Sequence, residues 1–145
     1  MSTKDCIFCA IVDGDIPSHT VAETDHALAF LDVNPLAPGH TLVIPKDHYQ
    51  TVDAVPPTPR NALFELVGSL TGEVEEAVDA DASTIGINNG SVAGQEVPHV
   101  HAHIIPRFAG DGGGPIHHVA GSAPELSDTE MDDIAGTIRD IHAPR

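Results

Sequence analysis

The run HVHAHII, at residues 99–105, alternates histidines with apolar residues and limits what this part of the chain can fold into. Residues two apart in a β-strand share one face and lie about 6.5 Å apart along it. His99, His101 and His103 are therefore expected on one face of a strand, with the intervening apolar residues directed into a core. A single histidine is commonly a packing residue, but three in alternation favour a functional site.

Two kinds of chemistry use imidazoles grouped in this way. A neutral imidazole is a common metal ligand. It can also act as a nucleophile or an acid–base group, while neighbouring rings donate hydrogen bonds to an anion. The third interpretation, a polar strand facing solvent, is the least favoured for three alternating histidines. The run by itself does not choose between the first two.

The other periodic segments predict an α+β fold. Apolar runs bounded by turn residues predict strands at 26–33, 40–45, 83–90 and 100–107. A long helix is predicted from Pro59, with Thr58 as its N-cap, to about Asp79. A last helix is predicted over 128–142, where Ser127 and Glu130 form a capping-box pattern. A single helix lies among these strands, so we expect a mainly antiparallel sheet. Residues 1–145 are interpreted as one domain, because no repeat or linker divides them.

The composition is strongly acidic. Among 145 residues, 22 are Asp or Glu and 6 are Lys or Arg, which gives a formal net charge of −16. Without a basic patch, binding of nucleic acid through its phosphates is not expected. Because the acidic residues are spread along the chain, the composition favours adaptation to concentrated salt over an ordinary acidic cytosolic protein.

The location of the protein is predicted from two further patterns. The first residues, MSTKDCIFCAIVDGD, do not read as a secretory signal. No run of about 18 apolar residues is present, so no membrane span is expected. We therefore predict a cytoplasmic protein, with both of its cysteines reduced.

The two cysteines, Cys6 and Cys9, form a C-x-x-C pair with three interpretations. They could be a redox pair, half of a zinc site or two small buried residues. A redox pair is disfavoured because no strand is predicted before Cys6. A structural zinc needs two further ligands, for which His48 and His99 are the candidates.

Three blocks of sequence resemble the histidine triad (HIT) family: CIFCAIVDGDIPS, AFLDVNPLAPGHTLVIPKDHY and NNGSVAGQEVPHVHAHIIPR. They follow the family's order and are most similar to the Hint-type branch in its prokaryotic, cysteine-containing form. The resemblance implies a mainly antiparallel sheet of about five strands, one long helix and a C-terminal helix. It also implies a homodimer whose sheets join, and a purine nucleotide as substrate. In cysteine-containing relatives the positions of Cys6, Cys9, His48 and His99 hold a structural zinc.

The resemblance also implies roles for individual residues. His101 is the implied nucleophile, oriented by the backbone carbonyl of His99. The other implied catalytic residues are His103, His40 and Gln95, and the implied nucleotide-binding residues are Asp32, Asn88, Phe8, Ile7, Val33 and Glu96. Asp32 would accept hydrogen bonds from the ribose hydroxyls. Glu96 departs from the common Hint-type pattern, which has Ser at this position.

The function implied by the resemblance is hydrolysis at the α-phosphorus of a purine nucleoside phosphoramidate or related nucleotide. A nucleotidyl-histidine would form and then release nucleoside monophosphate. One alternative is hydrolysis of dinucleoside polyphosphates, as in the Fhit-type branch of the family. Another, from a different class, is a nucleotide- and zinc-binding adaptor without turnover.

Overall fold

A computed structural model of the chain describes residues 5–144. The chain divides into two compact units, Met1–Gly113 and Gly114–Arg145. The first contains a five-stranded sheet and two helices, and the second contains the C-terminal helix. The interpretation of residues 1–145 as one domain stays a prediction.

The sheet of the first unit is antiparallel throughout. Its strands lie in the order β1-β2-β3-β5-β4, with bounds β1 Thr20–Glu23, β2 Ala27–Leu31, β3 Thr41–Pro45, β4 Ala82–Gly86 and β5 Ala102–Arg107. The α+β prediction is therefore confirmed. The strand β1 was not predicted, and β4 covers the first part of the segment 83–90, which was predicted as a strand running into a turn. The implied homodimer stays a prediction.

The long helix α2, Pro57–Val78, begins two residues earlier than predicted. Pro56 is its N-cap residue, so the assignment of Thr58 as the cap is wrong. Prolines are tolerated in the first helical turn, because the backbone N–H groups there have no intrahelical partner. The helix ends at Val78, and its C-cap residue Asp79 takes a left-handed conformation with φ 56°.

One face of the sheet is covered by α2. The buried residues of the helix recur at helical spacing and are Leu63, Leu66, Val67, Leu70 and Val74. They pack on Ala27, Ala29, Val43, Ala102 and Ile104 of the three central strands. Large side chains of the helix thus meet mainly small ones of the sheet, which allows close packing. Ala102 and Ile104 lie on the core side of β5, as the alternation of the triad run predicts.

A short helix that the sequence did not predict contributes to the opposite face of the sheet. This helix, α1, spans Ile7–Val12, and Cys6 is its N-cap residue. Its first turn is closed by the backbone N–H of Cys9, which donates to the sulfur of Cys6 at 3.3 Å. Phe8 packs with Phe30 and Leu42 of the sheet in a second apolar cluster. Six residues are too few to show a helical period.

The second unit contains the helix α3, Asp128–His142, with the bounds that the sequence predicts. Ser127 accepts a hydrogen bond from the backbone of Glu130, and the Glu130 side chain accepts one in return, so the capping box is confirmed. Within residues 5–144, no helix is long and apolar enough to cross a membrane. The cytoplasmic location and the adaptation to salt stay predictions.

The buried contact between α2 and the sheet predicts a large loss of stability for Leu63→Ala. Leu63 is completely buried, so removal of its side chain should lower the free energy of unfolding by about 2–5 kcal/mol. Urea denaturation would measure this change. The matched variant Leu36→Ala, at a position 77% exposed, should change it by less than about 0.5 kcal/mol. Equal effects of the two substitutions would contradict this account of the core.

Candidate active site

The three histidines of the triad lie where the chain enters the central strand β5. Because β5 begins at Ala102, only His103 lies within the regular strand, where it pairs with Leu42 and Gly86. His99 and His101 precede it in an irregular segment, which corrects the predicted strand start at residue 100. Both rings are buried. The rings of His101 and His103 remain neighbours, with centroids 5.1 Å apart.

A backbone hydrogen bond fixes the tautomer of His101. Its Nδ1 lies 2.9 Å from the carbonyl oxygen of His99. A carbonyl can only accept a hydrogen bond, so Nδ1 carries the proton and Nε2 of the neutral ring keeps a free lone pair. The ring of Phe8 lies edge-on to this imidazole, with centroids 5.1 Å apart. The arrangement leaves Nε2 as the nitrogen of His101 that can act as a nucleophile or a base.

A second chain of hydrogen bonds fixes the tautomer of His103. The backbone N–H of Leu36 donates to Nδ1 of His40 at 3.1 Å, so the proton of the neutral His40 ring is on Nε2. This Nε2 lies 2.9 Å from Nδ1 of His103 and donates to it. The remaining proton of His103 is therefore on Nε2. His103 offers an N–H donor beside the lone pair that His101 offers.

Burial keeps the rings of His103 and His40 uncharged at neutral pH. Burial, together with the smaller effects of the nearby rings of His101 and His40, lowers the pKa of His103 from its usual value of 6.5 to about 4. Burial also lowers the pKa of His40, against the opposing effect of the Asp32 carboxylate. Both rings therefore act as neutral donors and acceptors, and a phosphate beside them would meet dipoles and no fixed positive charge.

The loop between β2 and β3 brings Asp32 to the histidines. Asp32 directly follows β2, and its Oδ2 lies 3.7 Å from Nε2 of His40. Its Oδ1 accepts a hydrogen bond from the backbone N–H of Asn34 at 2.9 Å, which closes the turn. The loop returns through Gly39, with φ +84°, where an added Cβ would lie 2.9 Å from the side chain of Val78. Glycine is needed at this position to place His40 at the start of β3.

These groups line one cleft of about 560 Å³. Nine of the predicted catalytic and nucleotide-binding residues contribute to it: His101, His103, His40, Asp32, Asn88, Phe8, Ile7, Val33 and Glu96. Part of its wall is apolar, and further lining residues there include Ile11, Ile16, Pro17, Phe30 and Leu36. A concave apolar wall with a few convergent polar groups is the usual form of a small-molecule site.

Gln95 is the predicted catalytic residue that does not line the cleft. Its Oε1 accepts from the backbone N–H of Gly90 at 2.8 Å. Its Nε2 donates to the carbonyls of Gln50 and Val97, at 2.7 and 2.9 Å. The side chain is therefore committed to the backbone of the loop before the triad. In this structure Gln95 supports the loop, and its catalytic role stays a prediction.

Several contributions to the site were not predicted. The backbone N–H of Leu36 fixes a tautomer, but every residue except proline has such a group, so the sequence gives no signal for it. Ser18 and Asn34 bring polar side chains to the lining. For Asn34, the run DVNP offers a signal, since Asp followed by Asn and Pro is typical of a tight turn.

The four predicted metal ligands come together beside the cleft. The ligand atoms of Cys6, Cys9, His48 and His99 all lie within 4.8 Å of one another. Nδ1 of His99 is 3.4 Å from the Cys6 sulfur and 3.6 Å from the Cys9 sulfur. Nδ1 of His48 is 3.4 Å from the Cys9 sulfur. A tetrahedral zinc with ordinary bond lengths separates sulfur and nitrogen ligands by about 3.5 Å. The donor set and its spacing therefore fit zinc.

The surroundings of the ligands also fit a metal. Nε2 of His99 lies 2.8 Å from the carbonyl of Pro45 and donates to it, which leaves Nδ1 free to bind a metal. In the metal-free chain, burial and the neighbouring Cys6 raise the pKa of the Cys9 thiol to about 12. A bound metal would displace the thiol proton and stabilise the thiolate.

The metal ligands and the cleft share structural parts. His99 contributes its ring to the ligand cluster and its carbonyl to the orientation of His101. Cys6 caps the helix α1, whose residues Ile7 and Phe8 line the cleft. A metal at this cluster would therefore fix both the ring of His101 and one wall of the cleft.

The HIT domain model matches residues 13–110, which is more than half of the chain. The chain belongs to the HIT family. An uncharacterized HIT-like protein of Methanocaldococcus jannaschii is 51% identical over 107 residues, which cover 74% of this chain and 82% of that protein. The adenosine 5'-monophosphoramidase of Schizosaccharomyces pombe is 43% identical over 70% of this HIT chain and 74% of its own. An adenylylsulfatase of Arabidopsis thaliana is 42% identical over 72% of this chain, which spans only 53% of that protein.

Solved structures show the same fold. A HIT family protein of Bacillus subtilis is 33% identical and superposes with a TM-score of 0.83, over 97% of this chain and 99% of its own. A zinc-bound histidine triad family protein of Mycobacterium smegmatis is 30% identical, with a TM-score of 0.71 over 97% of both chains. The fold predicted for this HIT domain from its sequence is thereby confirmed.

The ligand cluster predicts that His48→Gln abolishes stoichiometric zinc binding, because a closed site of four ligands would lose one. Cys6→Ser should do the same and should also lower the melting temperature, because the structural zinc would be lost, whereas serine can still cap α1. Metal content by atomic emission and thermal unfolding would measure these effects. The matched variant His26→Gln changes an exposed histidine outside the cluster and should keep its zinc. Full zinc content in Cys6→Ser would sink the assignment.

The buried His103 predicts a loss of stability at mildly acidic pH. Its pKa in the folded chain, about 4, lies below the usual 6.5, so the unfolded chain binds a proton first as the pH falls. The stabilising contribution of neutral His103 is complete above about pH 6.5 and is lost toward pH 4. An NMR titration should find its ring midpoint near 4, with the signal assigned by its absence in His103→Gln. A midpoint at 6.5 or above would show that burial does not keep this ring neutral.

Proposed function

We propose that this chain is a hydrolase of purine nucleoside phosphoramidates that releases nucleoside monophosphate through a nucleotidyl-histidine. The single observation that carries the proposal is the fixed tautomer of His101. Its Nδ1 donates to the His99 carbonyl at 2.9 Å, so a neutral ring keeps the Nε2 lone pair beside a cleft. A neutral, oriented imidazole is a suitable nucleophile for phosphorus.

The lining of the cleft supports a nucleotide as the ligand. The apolar wall that includes Phe8, Ile7 and Val33 fits a purine base. Asp32 presents carboxylate oxygens that can accept hydrogen bonds from both ribose hydroxyls. The Nε2–H of His103 would donate to a non-bridging phosphate oxygen, where charge changes during the reaction. Asn88, also in the lining, would contact the ribose and phosphate.

The reaction proceeds in two displacements. In the first, Nε2 of His101 attacks the α-phosphorus, the P–N bond to the leaving amine breaks, and the amine takes up a proton from solvent. In the second, a water oxygen attacks the same phosphorus, the bond to Nε2 breaks, and a proton returns to solvent. One water is consumed for each amine and each nucleoside monophosphate released. His101 returns to its neutral state.

The relatives support this class of reaction. One relative that is 43% identical is named adenosine 5'-monophosphoramidase, and the structural neighbour from Mycobacterium smegmatis is described as zinc-bound. We include a structural zinc held by Cys6, Cys9, His48 and His99 in the proposal. Zinc in a closed site of four protein ligands stabilises structure. In the two displacements above, His101 supplies the nucleophile, and solvent supplies the water and exchanges the protons.

A second candidate changes the leaving group. The Arabidopsis relative, 42% identical, is named adenylylsulfatase, which indicates a sulfate leaving group at the same phosphorus. In dinucleoside polyphosphate hydrolysis, the Fhit-type alternative, the leaving group would itself be a nucleotide. The nucleotide- and zinc-binding adaptor differs from all of these because it would bind nucleotide without turnover.

The direct test is AMP release from adenosine 5'-phosphoramidate by the wild type and by His101→Ala. The variant should lose at least about a thousandfold in turnover, because it lacks the nucleophile, and should still bind AMP. An alkaline quench with intact-mass analysis should find one nucleotidyl group on the wild type. The matched variant His26→Ala should keep wild-type turnover. AMP binding without turnover of any nucleotide by the wild type would favour the adaptor.

A further inference from the structure

The fixed charges that line the cleft are all negative. Asp32 and Glu96 are its charged lining residues, and the lining contains no lysine or arginine within residues 5–144. The other polar lining residues are three histidines, Ser18, Asn34 and Asn88. Burial lowers the pKa values of His40 and His103. The cleft therefore offers a phosphate neutral donors.

None of the basic residues within the described part of the chain is a lining residue of the cleft. Of six in the sequence, Lys46 binds Glu23 at 2.6 Å and Arg107 binds Asp111 at 2.7 Å. Arg60 and Arg139 belong to the helices α2 and α3, and Lys4 and Arg145 lie outside the described residues. Each further negative charge on a ligand would meet the same acidic lining.

Glu96 is the charged residue of the described lining that the proposed base, ribose and phosphate contacts leave unused. It lies on the loop directly before the triad, three residues from His99, and its side chain is exposed at the cleft. The structure gives it no ion pair among the described residues. Asp32, by contrast, lies beside His40 and closes its own turn. Glu96 therefore keeps an uncompensated charge for the ligand to meet.

We propose that Glu96 selects the leaving group by its charge. The cleft takes nucleoside phosphoramidates whose leaving group is a neutral amine or an amine with an additional positive charge, and it rejects sulfate and polyphosphate leaving groups. This inference rests on the proposed function and names the substrate class within it. Over roughly 6 to 10 Å, at the intermediate dielectric of a protein surface, one charge pair changes a rate constant by about three- to tenfold.

The test compares three adenosine 5'-phosphoryl substrates that differ in the leaving group. The first is the phosphoramidate of pentylamine, the second is that of 1,5-diaminopentane with a free ammonium group, and the third is adenylyl sulfate. Values of kcat/KM are measured for the wild type, Glu96→Gln and Glu76→Gln. Glu76 is exposed on α2 outside the cleft, so its substitution makes the same change in net charge and serves as the control.

We expect Glu96→Gln to reduce the ratio of kcat/KM for the diamine substrate to kcat/KM for the monoamine substrate by about three- to tenfold. The ratio of kcat/KM for adenylyl sulfate to kcat/KM for the monoamine substrate should rise by a similar factor. Glu76→Gln should change neither ratio. Turnover of the monoamine substrate with unchanged ratios in Glu96→Gln would overturn the selection by Glu96 and leave the proposed function intact. Melting temperatures would show that both variants are folded.

If no phosphoramidate is turned over, a binding experiment separates the two proposals. That result would refute the proposed function, but calorimetry of AMP and ATP still tests the charge of the cleft. The wild type should bind ATP more weakly than AMP. Glu96→Gln should reduce the ratio of the dissociation constants for ATP and AMP by about three- to tenfold, and Glu76→Gln should leave this ratio unchanged. ATP binding as tight as that of AMP in the wild type, or an unchanged ratio in Glu96→Gln, would overturn the inference.

Discussion

The candidate active site depends on backbone hydrogen bonds that decide which nitrogen of each imidazole carries its proton. The carbonyl of His99 can only accept, so the ring of His101 must donate from Nδ1. The N–H of Leu36 can only donate, so the ring of His40 must carry its proton on Nε2. This Nε2–H donates a hydrogen bond to His103. Main-chain groups therefore produce a lone pair and an N–H donor side by side, without any charged residue.

The core under α2 and the cleft lie on opposite faces of the sheet. Alternation along β5 sends Ala102 and Ile104 into the core under α2, while His103 between them points to the other face. That face is covered in part by α1, whose Phe8 contacts both an apolar cluster and the ring of His101. The apolar core can therefore hold the strands in register while the opposite face keeps an open cleft.

Local patterns in the sequence predicted the parts of the molecule that depend on periodicity and capping. They include the helix α3 with its capping box, the antiparallel sheet and the separation of histidines from core residues along β5. The start of α2 was misplaced, because Thr58 is a good N-cap residue and the structure begins the helix at Pro57 without a side-chain cap. Groups such as the N–H of Leu36 and the braced Gln95 depend on tertiary contacts that no local pattern encodes. The ligand set around Cys6 needed the family resemblance, because sequence spacing alone left three interpretations.

The acidity of the chain and the lack of cations in the described lining of its cleft belong to one constraint. A protein with a formal charge of −16 generates a potential that repels anions, and the scarce cations Lys46 and Arg107 are bound to carboxylates. Such a chain can still hold one phosphate with oriented dipoles, because hydrogen bonds act at short range and do not require net charge. Additional phosphates or a sulfate add repulsion and gain no cationic partner from the described lining. An amine leaving group adds no negative charge, so it fits the electrostatics of this cleft better than a polyanion does.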